Sequence, residues 1–304
     1  MSTLHRPLDA RAMAIMSLLC LIWGFQQIAL KATAADMAPT LQIGLRSGLA
    51  ALLVLGWMRW RGERLHWREG QWRAGALVGG LFGLEFMLVG EGLRHTSAAH
   101  MAVFLYTAPV FAALGLAWVQ RSERLHPVQW AGIGLAFAGM ALAFLGRGEA
   151  VNAQVLWGDL LGLLGGAAWG ATTVAVRASR LATAAPAETL FYQLSGGCLL
   201  LLVTALLLGQ TDVQPSARLA ASLAFQTVIV SFISYGVWFW LLRQYLASRL
   251  GVFSFLTPLF GVGFGVWLLG EALEPAFLGG AALVLLGITV VSAQPLLMRR
   301  VQVS

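Results

Sequence analysis

One stretch of this chain occurs twice, and both copies are apolar. Around Pro109 the sequence reads YTAPVFAALGLAWVQRSERLHP, and around Pro258 it reads FLTPLFGVGFGVWLLGEALEP. Each copy carries a proline inside an apolar run and leaves it through Glu-x-Leu-x-Pro: Glu123, Leu125 and Pro127 in the first, Glu271, Leu273 and Pro275 in the second. The following runs also match, with Gly132 and Gly139 answering Gly280 and Gly287. Trp23-Gly24 and Trp169-Gly170 mark the other end of the repeat. One unit is therefore used twice, over residues 1–150 and 151–304. A duplicated half in an apolar chain is a mark of secondary transporters.

The medium follows from charge. Only 11% of the 304 residues are charged and 59% are hydrophobic, with a mean hydropathy of +0.77. A soluble domain carries about 25% charged residues, so this chain cannot cover a water-facing surface. A lipid bilayer is its first partner. The net charge of +7 does not indicate nucleic acid, because the arginines sit between apolar runs and form no basic stripe. Cys20 and Cys198 both lie in apolar runs and report nothing about redox compartment. Arg6 and Arg11 before an apolar run, with Ala32-Thr33-Ala34 after it, imitate a signal peptide. The run is the length of a membrane span rather than of a signal core, so it reads as a retained first helix.

Ten apolar runs are long enough to cross a membrane: 12–32, 39–59, 74–94, 97–119, 127–146, 156–177, 187–208, 220–242, 249–269 and 277–296. With the amino terminus inside, fifteen Lys and Arg residues fall on cytoplasmic segments and four (Lys31, Arg94, Arg147, Arg218) on outer ones. This bias places both termini in the cytoplasm. Five helices per half is an odd number, so the second half enters from the opposite side and the repeats are inverted. The expected fold is an all-α membrane protein of ten transmembrane helices in two inverted five-helix repeats around a central cavity, a geometry suited to alternating access. Glycines at every fourth position, Gly158 to Gly170 and Gly75 to Gly83, predict close helix packing. Pro109 and Pro258 predict kinks at equivalent places.

Polar and aromatic residues inside the runs are the candidates for contact with a substrate. Arg46 lies in helix 2 and Glu85 in the middle of helix 3, with Glu91 nearer its outer end. Arg46 is in range of Glu91 and, less easily, of Glu85; an ion pair or a grip on a zwitterion are both open. Glu85 is also the candidate proton-linked or ammonium-binding group. His100 stands at the start of helix 4, opposite Arg249 in the repeat, and its spacing from His95 is no metal signature. Trp23 and Trp169 are repeat partners, Gln26 follows Trp23, and Tyr106 and Tyr235 lie within helices 4 and 8. An aromatic and amide-lined cavity with few charges suits an apolar amino-acid side chain better than a phosphate.

These motifs resemble the EamA family of the drug/metabolite transporter superfamily, over roughly residues 12–296. Within it the pattern is most similar to YddG-type amino-acid exporters of the bacterial inner membrane. The resemblance implies export of neutral and aromatic amino acids from the cytoplasm. One departure stands out: small multidrug-resistance relatives couple export to protons through a glutamate in the first helix. Here that helix offers Trp23, Gln26 and Gln27 and no acid, and the matching sixth helix is expected to lack one too. Facilitated export without primary energy input is therefore expected, since the chain has no ATP-binding motif and needs no cofactor. Export of another small metabolite or a lipophilic cationic drug, possibly proton-coupled, is the competing expectation. An enzyme is disfavoured, because no His-Glu-x-x-His, paired intramembrane aspartates or nucleophile elbow is present.

Overall fold

The computed structural model describes residues 9–63, 65, 71–119, 126–145, 152–245, 254 and 256–301. In order they form α1 (Ala10–Ala32), α2 (Pro39–Trp60), α3 (Gln71–Gly92), α4 (Ala98–Leu105), α5 (Ala108–Val119), α6 (Pro127–Leu145), α7 (Ala153–Arg177), α8 (Pro186–Leu207), α9 (Ala217–Ala224), a π-helix (Phe225–Ser234), α10 (Tyr235–Gln244), α11 (Leu256–Leu269) and α12 (Pro275–Val301). An isolated antiparallel bridge joins Met37 to Val213, and no strand occurs among the described residues.

Proline and short polar side chains set the starts of these helices. Pro39, Pro127, Pro186 and Pro275 each open a helix, where the missing N–H would have had no intrahelical partner. Asp9, Ser97, Asn152 and Ser216 cap α1, α4, α7 and α9 by accepting a backbone N–H. Gly270, with φ at 65°, terminates α11 in a conformation other residues resist.

Seven helical stretches are long and apolar enough to cross a membrane: α1, α2, α3, α4 with α5, α7, α8, and α9 continued through the π-helix to Trp238. The described apolar parts of α6, α11 and α12 are shorter. The chain is thus a multi-pass membrane protein, with seven spans by length where ten were expected. The expected run 249–269 begins at Leu256 among the described residues; Arg249, Glu123 and Leu125 lie outside them. Leu199, Leu206 and Leu207 are 69–80% exposed. Such surface is unfavourable in water and at home against lipid tails.

The helix kink expected at Pro109 is a full break. Tyr106 and Thr107 interrupt the span between α4 and α5, because Pro109 has no N–H for the carbonyl of Leu105. Within the break the Thr107 hydroxyl donates to the carbonyl of Phe104, at 2.6 Å. Pro258 occupies the first turn of α11, the corresponding place in the second copy.

Packing repeats along with the sequence. A Cβ on Gly24 would lie 2.9 Å from the Cβ of Phe260, 3.0 Å from the nitrogen of Gly261 and 3.1 Å from the carbonyl of Thr257. On Gly170 it would lie 2.7 Å from the Cβ of Phe111, 2.9 Å from the nitrogen of Ala112 and 3.0 Å from the carbonyl of Ala108. The same three atom types thus meet each glycine, with α1 on α11 and α7 on α5. Each crossing joins the first helix of one half to the proline-bearing helix of the other. On α7, Gly158 meets Gly92 and Thr96 ahead of α4, Gly162 and Gly166 continue the stripe along α4 and the break after it, and Gly75, Gly79 and Gly83 seat α3 on α8. On α6 and α12, Gly132 faces Gly287 and Gly139 faces Gly280, a reciprocal contact between corresponding helices.

Candidate substrate site

The inner faces of α2, α3, the π-helix and α10 converge on one polar cluster. Arg46 on α2 is 1% exposed. Its Nη1 donates to Oε1 of Gln226 at 2.6 Å, and its guanidinium stands over the Phe86 ring, 4.9 Å from the centroid. Gln226 is on the second residue of the π-helix. Such wide helical turns are rare and are frequent at functional sites. Glu85, next to Phe86 on α3, is buried too. Arg46, Glu85 and Tyr235 are close enough to interact electrostatically with one another, and Tyr106 reaches Glu85 and Tyr235.

Aromatic rings flank this cluster. Trp23 Nε1 donates to the Ser234 hydroxyl at 2.9 Å, and its ring centroid lies 6.4 Å from Tyr235 and 5.7 Å from Trp238. Tyr106 meets Trp169 edge to face at 5.1 Å. Trp23, Trp169 and Tyr235 keep partial exposure, whereas Tyr106 is buried. Gln26 is buried on α1, one turn beyond Trp23. Six of the eight sequence candidates, Trp23, Arg46, Glu85, Tyr106, Trp169 and Tyr235, are therefore linked through ring contacts or electrostatic reach.

His100 belongs to a different cluster, at the end of the bundle where α1 and α3 finish and α4, α7 and α12 begin. Its Nδ1 lies 3.0 and 3.1 Å from the two carboxylate oxygens of Asp159, and its Nε2 lies 3.5 Å from Glu274. The ring stacks on Phe277 at 3.9 Å, and the Thr96 hydroxyl donates to Asp159. Glu271 accepts the N–H groups of Ala98 and Ala99 at the start of α4, at 2.7 and 3.0 Å. Lys31 Nζ donates to the carbonyls of Leu93 and Thr96. Glu271 belongs to the Glu-x-Leu-x-Pro motif, so this copy of the motif caps a helix of the other half.

Two sequence expectations need correction here. Arg46 does not pair with Glu91, which instead engages Arg94, His95 and Gln210 at 3.0–3.2 Å. The sixth helix was expected to hold no acid, yet Asp159 lies close to the start of that apolar run, well before Trp169, and is completely buried. An acid inside an apolar run was the available signal. Gln226 was also missed, because nothing in the sequence marks the π-helix that aims it at Arg46. Among the described residues no group of three His, Cys, Asp or Glu side chains could hold a metal ion. A cavity of about 260 Å³ bordered by Arg94, Gln210 and Asp212 is lined by none of the candidates.

Comparison with known proteins decides the family. The model of the EamA-like transporter family matches twice, over residues 10–145 and 156–293. The chain belongs to the EamA-like transporter family. It is a transporter, and not an enzyme. An uncharacterized transporter of Archaeoglobus fulgidus is 26% identical, over 87% of this chain and 91% of its own. A probable amino-acid metabolite efflux pump of Salmonella typhimurium is also 26% identical, over 89% and 91%. A solved crystal structure of 21% identity superposes with a TM-score of 0.66, over 97% of this chain and 99% of that one, which shows the shared fold. The paired match places the EamA repeats on either side of the segment between α6 and α7.

Proposed function

We propose that this EamA-family protein exports neutral and aromatic amino acids across the bacterial inner membrane by alternating access. The observation that carries the reading is the cluster of buried Arg46 and Glu85 with Tyr235, flanked by Trp23, Tyr106 and Trp169. Such a site offers one cation, one acid and several large rings. That composition matches the polar ends and the side chain of an aromatic amino acid, and serves a phosphate poorly. The Salmonella relative, a probable amino-acid metabolite efflux pump, points the same way.

In this reading α6, α11 and α12 complete ten spans, in two inverted repeats over residues 1–150 and 151–304. Both termini are cytoplasmic, following the bias of Lys and Arg. The equivalent crossings at Gly24 and Gly170 support the exchange of roles between halves that alternating access needs. Substrate enters from the cytoplasm, the halves rock, and it leaves outside without primary energy input.

Buried Glu85 supports a second reading, in which the same export is proton-coupled. Purified protein in liposomes should take up labelled phenylalanine saturably, in competition with threonine and methionine, whether or not a pH gradient is imposed. Dependence on the gradient would establish the coupled reading. Uptake of a cationic dye in place of amino acids would overturn the substrate class and leave the transporter fold standing.

A further inference from the structure

The central cluster holds a basic and an acidic side chain that do not pair directly. Among the described residues no carboxylate oxygen lies within 4.0 Å of Arg46, and no Lys, Arg or His nitrogen lies within that distance of Glu85. Each nonetheless sits within electrostatic reach of the other, with Tyr235 in reach of both. Arg46 is held back by two neutral partners, the Gln226 amide at 2.6 Å and the Phe86 face. Its Nε finds no acceptor, and neither does Nε2 of Gln226; both are buried donors left unused. A guanidinium and a carboxylate removed from water without direct counterions are costly in a membrane interior. A sequence retains such a pair where something else completes it.

We propose that a zwitterionic α-amino acid completes it, with its carboxylate on Arg46 and Gln226 and its ammonium on Glu85. This rests on the amino-acid reading above and deepens it, by assigning each end of the substrate to a residue. The unused Nε of Arg46 and Nε2 of Gln226 are the donors that accept the carboxylate, and a guanidinium fork is well shaped for two parallel bonds to it. Glu85 is the acid within electrostatic reach that neutralises the ammonium. The α-carboxylate and α-ammonium of one molecule are separated by a single carbon, so one ligand serves both charges at once. Tyr106, Tyr235 and the Trp rings then hold the side chain. The π-helix has a defined part: its second residue supplies the Gln226 amide.

The test is binding to the purified full-length protein in lipid nanodiscs, by calorimetry, with three ligands that share a ring. L-phenylalanine has both charges, 2-phenylethylamine lacks the carboxylate, and 3-phenylpropanoate lacks the ammonium. Wild-type protein should bind phenylalanine about 10- to 100-fold more tightly than either analogue, since each analogue leaves a buried charged group unpaired. Arg46→Gln should erase the preference over the amine and keep that over the acid; Glu85→Gln should do the converse. The wild-type series is decisive by itself if either variant fails to fold. Equal affinity for phenylalanine and one analogue overturns the two-point grip while amino-acid transport stands. Failure to bind any amino acid, with transport of other solutes intact, removes both the grip and the amino-acid reading.

Discussion

Nδ1 of His100 lies 3.0 Å from Oδ1 of Asp159, so a buried contact ties α4 to the first helix of the second repeat. Thr96 donates to the same carboxylate, and Nε2 of His100 faces Glu274. Removing one member of such a network strands the others in a dry environment. Asp159→Ala should destabilise the protein by about 3–5 kcal/mol, and Asp159→Asn by less. Thermal unfolding in detergent, with His100→Gln and the double variant completing a cycle, measures the coupling.

Gly24 and Gly170 predict a matched pair of defects. An added methyl would approach Phe260 to 2.9 Å in one case and Phe111 to 2.7 Å in the other. Both Gly→Ala changes should destabilise by about 1–3 kcal/mol through overpacking. Gly80 and Gly134 have open space where a Cβ would stand. Alanine there should stabilise by about 0.5–1 kcal/mol, because helical glycine is entropically unfavourable. Melting temperatures of the four variants separate the two classes.

Trp23→Ala and Trp169→Ala should each lower phenylalanine transport at least about tenfold while expression is preserved, on the loss of ring contacts with Tyr235 and Tyr106. Trp23→Phe keeps a ring and loses the bond to Ser234, worth about 1 kcal/mol; its transport should fall between wild type and alanine. Proteoliposome uptake rates check the order, and normal rates in both alanine variants would remove the two residues from the site.

Asp9 gives a pH dependence with a definite sign. The Ala12 N–H holds its carboxyl below the usual range, against an opposing effect of burial, with a smaller contribution from the Tyr245 hydroxyl. A lowered folded-state value adds stability above the unfolded carboxylate range and loses it as pH falls through the folded value. The difference in melting temperature between wild type and Asp9→Ala should therefore be full at neutral pH and shrink below about pH 4. Tyr245→Phe should reduce that difference.

The repeats and the membrane medium were legible because they are written in local composition: apolar runs, prolines inside them and glycines at four-residue spacing. Pro109 even marked its own break, since a missing N–H acts on the residue four before it. Arg46 and Glu85 stood out as charges in apolar runs, and the structure brings them into electrostatic reach. Partner choice was not legible. Arg46 was expected near Glu91 on the adjacent helix, yet its donor goes to Gln226, from a helix 180 residues away in the chain. Asp159 and His100, 59 residues apart, show the same limit.

The sequence by itself determined that this chain lives in a bilayer and repeats one helical unit, because both follow from composition and transfer energetics along the chain. Tertiary structure alone decided which helices cross at Gly24 and Gly170, how the π-helix turns Gln226 towards Arg46, and that Glu271 of one half caps α4 of the other. Those choices depend on the approach of surfaces distant in the chain, which local composition does not encode.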